Sequence, residues 1–145
     1  MATIRDILVK KGSGVLTTGK ESTVLEAAIL MNEHKVGALV VLEEGRIAGM
    51  FTERDVLRRV VGQLRDPAHT PVAEVMTTEV VCCRPDTSLE EARGSMMMRR
   101  IRHLPVVGDQ EEMVGLISIG DLNAHERTSH EQTIYLLQEY VYGRV

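Results

Sequence analysis

The chain has 145 residues with a formal net charge of −4, and 43% of them are hydrophobic and 26% charged. That is the balance of a soluble globular protein, with room for one ordinary domain or two very small ones. No apolar run approaches the roughly 18 to 20 residues of a membrane span, and the acidic balance argues against a nucleic-acid role. One Phe and no Trp leave an aliphatic core.

In chain order, MATIRDILVKKG mixes charges with apolar residues and lacks the apolar stretch of a signal peptide, which predicts a cytoplasmic protein. A short strand follows at 15–18. A helix comes next, with Val24, Ala27, Ala28 and Met31 at i, i+3, i+4 and i+7. Strands at 38–42 and 47–51 flank the polar turn EEGR, a hairpin pattern, and a second helix begins at Thr52. GQLRDPAHTP, residues 62–71, reads as a linker with Asp-Pro and Thr-Pro turn signals.

The order then recurs. A strand is predicted at 80–83 and a helix with Leu89, Ala92, Met96 and Met97 on its apolar face. Strands at 104–107 and 113–117 flank GDQEE, and a helix begins at Ser118. The last segment, EQTIYLLQEYVYG, reads as an amphipathic helix with Ile134, Leu137 and Val141 on one face. Tyr135, Tyr140 and Tyr142 crowd it, and the face serves either its own core or a subunit contact.

This is an internal repeat. VLTTGKESTVLEAAILM matches VVCCRPDTSLEEARGSM, and VGALVVL matches IRHLPVV, both at an offset of 65. IAGMFTERDVL matches MVGLISIGDLN at 66, and the lead-ins IRDIL and VAEVM also agree. The fold class is therefore α/β, with each repeat ordered strand, helix, strand, strand, helix. A unit of about 50 residues buries too little to stand alone, so the two sheets are expected to pack together. The expected boundaries are 1–64 for the first repeat with its lead-in, 65–73 for the linker, 74–127 for the second repeat and 128–145 for the C-terminal helix.

GMFTERD and GLISIGD share a glycine, two apolar residues, a hydroxyl and an aspartate. Hydroxyl-x-x-acid is also a capping box, and the chain uses that spacing at Thr23 and Glu26, Thr87 and Glu90, and Ser88 and Glu91. The paired motifs differ in using Asp, shorter than Glu and less suited to reaching back, and in following a strand directly. A helix start offers N–H groups to an anion, and a carboxylate one turn in accepts bonds from vicinal hydroxyls such as those of a ribose. Capping alone and nucleotide binding both fit these residues.

The repeat resembles the CBS domain, and the tandem pair resembles a Bateman module of the small stand-alone bacterial type. The two motifs match that family's ribose-and-phosphate motif, and RIRHLPVV its central strand; Val40 stands where the family often has proline. The resemblance runs from about Ile4 to Glu126. It implies two clefts between the repeats, ligands such as AMP, ADP, ATP, NAD or S-adenosylmethionine, and a disc-like homodimer that senses ligand and signals to a protein partner.

Carried over, the first cleft takes Met50, Thr52, Arg54 and Asp55 with Val80, Val81, Ile101, Arg102 and His103. The second takes Leu116, Ser118, Gly120 and Asp121 with Leu16, Thr17, Val36, Gly37 and Ala38. The base is held largely by backbone and aliphatic groups, Asp55 and Asp121 bind ribose, and Arg102 and His103 lie near the phosphates. Gly37 and Ala38 align with Arg102 and His103, and Gly120 with Arg54, so the clefts are expected to differ in affinity or ligand.

Other readings have less behind them. No nucleophile-base pair, metal-ligand spacing or Gly-rich phosphate loop with lysine points to an enzyme or a metal site. A scaffolding homodimer with empty clefts is the alternative function. Arg58, Arg59, Arg99, Arg100 and Arg102 lack the stacking aromatics of a nucleic-acid face. Cys82 and Cys83 read as small strand residues on opposite faces or as a redox-sensing thiol.

Overall fold

In the computed structural model, which describes residues 1–12 and 14–127, the first repeat takes the expected order and the second keeps it from its first helix onward. The first comprises β1 (Thr17–Gly19), α2 (Val24–His34), β2 (Ala38–Glu43), β3 (Arg46–Thr52) and α3 (Glu53–Asp55), after a lead-in helix α1 (Ile4–Lys11). A π-helical turn, Val56–Val60, and a 3-10 turn, Val61–Gln63, continue α3. The second comprises α4 (Leu89–Arg99), β4 (His103–Val107), β5 (Met113–Ser118) and α5 (Ile119–Glu126). The predicted C-terminal helix lies outside the described residues.

Strand alternation builds two kinds of interface. On β2 and β3, Leu39, Val41 and Phe51 face a core shared with Val24, Ala27 and Met31 of α2. Ala38, Val40 and Met50 face the other way and pack with Met113 and Leu116 of β5. That second cluster is the sheet-to-sheet contact. In the second repeat, Leu104, Val106 and Ile117 share a core with Ala92 and Met96 of α4 and Leu122 of α5. β1 runs parallel to β2, and β2 antiparallel to β3. Both hairpins carry a register shift at matching places, Val41/Leu42 and Val106/Val107.

The predicted strand at 80–83 shrinks to a single parallel bridge, Cys83 to Val106. Cys83 N donates to the Pro105 carbonyl, and the Cys83 carbonyl accepts from Val107 N, each at 2.9 Å. The next rung would need an N–H from Pro105, which proline lacks. In the first repeat that rung exists, because Val40 N donates to the Leu16 carbonyl at 3.4 Å. Two further expectations are corrected. Met97 is exposed rather than on the apolar face of α4. Thr87 accepts from Arg84 N in a turn, while Ser88 alone caps α4.

The lead-ins cross over. α1 precedes the first repeat, yet Ile4 and Ile7 complete the second repeat's core. Val72 and Val75, which precede the second repeat, complete the first. Matched backbone bonds fix the exchange: Ile4 N to Thr87 O and Leu89 N to Ala2 O in one half, Val72 N to Ser22 O and Val24 N to Thr70 O in the other. The linker is thus docked on the start of α2, with Thr70 buried.

The motif glycines sit under these lead-ins. A Cβ on Gly49 would lie 2.6 Å from Met76 Sδ and 2.7 Å from the Thr77 carbonyl oxygen. One on Gly115 would lie 2.5 Å from Leu8 Cδ2, a side-chain tip that can rotate away. Thr77 O is fixed by its bond from Met50 N at 2.9 Å. Gly49→Ala is therefore expected to destabilise by about 1–3 kcal/mol, and Gly115→Ala by clearly less. Thermal unfolding of the two variants checks this; equal losses would contradict it.

Candidate functional site

Both motif hydroxyls cap a helix at the end of a strand. Thr52 Oγ1 accepts from Asp55 N at 3.4 Å, and Asp55 Oδ2 accepts from Thr52 N at 2.9 Å. Ser118 Oγ accepts from Asp121 N at 3.1 Å, and Asp121 Oδ2 accepts from Ser118 N at 2.8 Å. Asp therefore does reach back, contrary to the expectation from its length. The extended backbone of each cap residue brings its N–H over the first turn. Each carboxylate commits Oδ2 to the cap, so capping and ligand binding are not exclusive.

The nine residues expected in the first cleft, Met50, Thr52, Arg54 and Asp55 with Val80, Val81, Ile101, Arg102 and His103, line one cavity of about 450 Å³. That volume suits a small organic ligand. Gly37, expected in the second cleft, also lines this cavity, because its carbonyl accepts from Glu53 N at 3.0 Å. Arg58, Arg59, Arg100, Glu53 and Glu79 complete the polar wall. Arg58 and Arg59 fall one helical turn after Asp55, a spacing that could have placed them there.

Charge in this cavity is mostly guanidinium. Arg59 Nη1 donates to the Val75 and Met76 carbonyls at 3.1 Å, and its Nε lies 3.7 Å from Asp55 Oδ1. Arg54 Nη1 donates to the Arg100 carbonyl at 3.3 Å. The side chains of Arg58, Arg100 and Arg102 have no bonded partner among the described residues. The Val81 carbonyl, freed by Pro105, is likewise unpaired there. Burial pushes the Asp55 carboxyl up, against the opposing pull of Thr52 and Arg59. Burial also lowers His103, helped by Lys11 and Arg102, so its ring is neutral near pH 7.

Second-cleft residues are more self-satisfied. Leu116 packs on the cluster of Ala38 and Val40, and the Leu16 carbonyl is taken by Val40 N. Thr17 pairs with Val40 in the ladder, Val36 N donates to the Met31 carbonyl, and Gly120 follows the Ser118 cap. Lys11, which sequence spacing did not indicate, reaches Asp121 Oδ2 at 2.6 Å. The Asp121 carboxyl is held below its usual range: burial raises it, but the Lys11 and Ser118 bonds together prevail.

The thiols show no activation. Burial raises both, Cys83 to about 12 with Cys82 adding to it, so neither is a thiolate at neutral pH. Among the described residues, no cluster of His, Cys, Asp and Glu could hold a metal ion, and no helix is long and apolar enough to cross a membrane.

Fold and site together define a tandem pair of α/β repeats around inter-repeat clefts. The CBS domain model matches residues 4–62 and 72–126, and the chain belongs to the CBS domain family. It is 41% identical over 129 residues to the CBS domain-containing protein YhcV of Bacillus subtilis, covering 89% of each chain. A CBS-domain protein from Burkholderia ambifaria superposes with a TM-score of 0.85 at 39% identity, over 89% of this chain and 96% of that one. The CBS domain pair of protein MJ0100, solved with 5-methylthioadenosine and S-adenosyl-L-methionine, shares the fold with a TM-score of 0.76 at 23% identity, over 85% of this chain and 98% of that one.

The two aspartates make opposite demands on stability. Asp121 adds stability that is present above about pH 4 and lost as pH falls through its lowered folded pKa. Asp55 adds stability only below about pH 4, lost as pH rises through its raised folded pKa. At pH 7, Asp121→Asn is therefore expected to lower the melting temperature and Asp55→Asn to raise it. Shifts of the same sign in thermal unfolding would contradict the assignment.

Proposed function

We propose that the chain is a cytoplasmic regulatory module that binds adenine nucleotides of the AMP, ADP, ATP or NAD class in two unequal clefts. Ligand-dependent shape then carries the signal to a protein partner. The observation that carries this reading is the first cavity. Asp55 Oδ1 offers an acceptor for a ribose diol, beside a wall of guanidinium groups suited to phosphate oxygens. Aliphatic Val80, Val81 and Ile101 suit the faces of a base, and the unpaired Val81 carbonyl suits an exocyclic amino group. The adenosine ligands of the MJ0100 pair support the same ligand class at the level of fold.

Charge narrows the choice. Arg58, Arg100 and Arg102 favour a ligand with more than one phosphate charge and disfavour the cationic S-adenosylmethionine. A homodimer is part of the reading; Leu25 and Ile29 on α2, and Met97 and Met98 near the end of α4, supply exposed apolar surface for a second copy.

Calorimetric titration of nucleotide-stripped protein tests this. ADP and ATP are expected to bind with micromolar affinity, about tenfold tighter than AMP. IMP, whose 6-oxo group would face the Val81 carbonyl, is expected to bind far more weakly than AMP. Asp55→Ala should remove the tighter site. If well-folded protein binds none of these, the sensor reading fails and a scaffolding homodimer with empty clefts takes its place.

A further inference from the structure

The second motif copies the first, but one cation sets it apart. Lys11 Nζ lies 2.6 Å from Asp121 Oδ2 and donates to the Leu116 carbonyl at 2.8 Å. It thus bridges the motif's aspartate and its strand. Lys11 is the last residue of α1, whose Ile4 and Ile7 are anchored in the second repeat's core. Gly12 ends the helix at φ +89° with its N–H on the Leu8 carbonyl. The ammonium is therefore delivered by a fixed element and not by a mobile tail.

Among the described residues, nothing similar reaches the first cleft. The crossed lead-ins match at an offset of 68, Ile4 with Val72 and Ala2 with Thr70, which sets Glu79 against Lys11. There the chain runs extended, and Thr77 pairs with Met50 through two backbone bonds of 2.9 Å. Met50 is the counterpart of Leu116 in the repeat. So one cleft has a backbone rung and an anion where the other has an ammonium on its aspartate. The nearest cation to Asp55, Arg59 Nε, stays 3.7 Å away and its Nη1 is tied to two carbonyls.

A ribose diol binds a carboxylate by donating two hydroxyl hydrogens. The pair takes one hydrogen to each carboxylate oxygen, and Asp121 Oδ2 already accepts from both Ser118 N and the Lys11 ammonium, so the ammonium must leave that oxygen first. We infer that Lys11 guards the second cleft: a nucleotide loads there only by displacing the Lys11 ammonium from Asp121, so the clefts fill in order. This rests on the adenine-nucleotide reading above and adds which cleft fills first.

The test is calorimetric titration with AMP of nucleotide-stripped wild type, Lys11→Met, Lys11→Arg and Lys11→Met/Asp121→Asn. The Lys11 side chain is 36% exposed, so the single substitutions leave the core intact. Lys11→Met is expected to raise affinity at the weaker site about tenfold, the worth of one charged hydrogen bond. Lys11→Arg, which keeps a cation, should retain weak binding, and adding Asp121→Asn should abolish the gain. The direction is diagnostic, because losing a cation that merely touched phosphate would weaken binding of an anion. Unchanged or weakened second-site affinity in Lys11→Met, with the first site still filling, overturns this inference and leaves the sensor reading standing. No AMP binding at either cleft in any variant overturns both.

Discussion

The structure depends on an exchange of lead-in segments. Neither repeat closes its own core: the second needs Ile4 and Ile7 from the chain's start, and the first needs Val72 and Val75 from the middle. Each lead-in also lies over a motif glycine, Leu8 at Gly115 and Met76 at Gly49. The same contacts that seal the cores therefore fix the walls of the clefts. Hydrophobic burial holds the two halves in register, and the polar chemistry is set on top of it.

Two small departures from symmetry then make the clefts unequal. One is an amide hydrogen. Val40 carries one and occupies the Leu16 carbonyl; Pro105 carries none and leaves the Val81 carbonyl open. The other is the side chain at the end of the lead-in, Lys11 in one half and Glu79 in the other. The proline costs the second sheet its third strand, but the helices and hairpins match in both halves, and Lys11 and Glu79 are both exposed.

Much of this was legible in the sequence. The repeat offsets placed strands and helices nearly to the residue, since period-2 and period-3.6 patterns each had a second copy to confirm them. The first-cleft residues, drawn from segments some 50 positions apart, do converge on one cavity. What periodicity cannot reveal is which neighbour an amphipathic lead-in packs against. Crossing of the lead-ins, and with it the reach of Lys11 to Asp121, is therefore not legible from the pattern. The 80–83 strand failed for a local reason that lay in plain view, a proline in the facing strand. Side-chain length alone understates the motif aspartates as caps, because the extended backbone of Thr52 and Ser118 shortens the reach.

The crossing also orders events during synthesis. The first repeat can close as soon as Val72 and Val75 have emerged, because everything it needs lies behind them in the chain. α1 emerges before any of this, yet its partners stand about a hundred positions further on, as the separation of 110 between Lys11 and Asp121 measures. Long-range closures of this kind are slow, and apolar surface stays open while they wait. α1, made before either repeat, thus waits for the second repeat before it is buried, much as a clasp closes a ring.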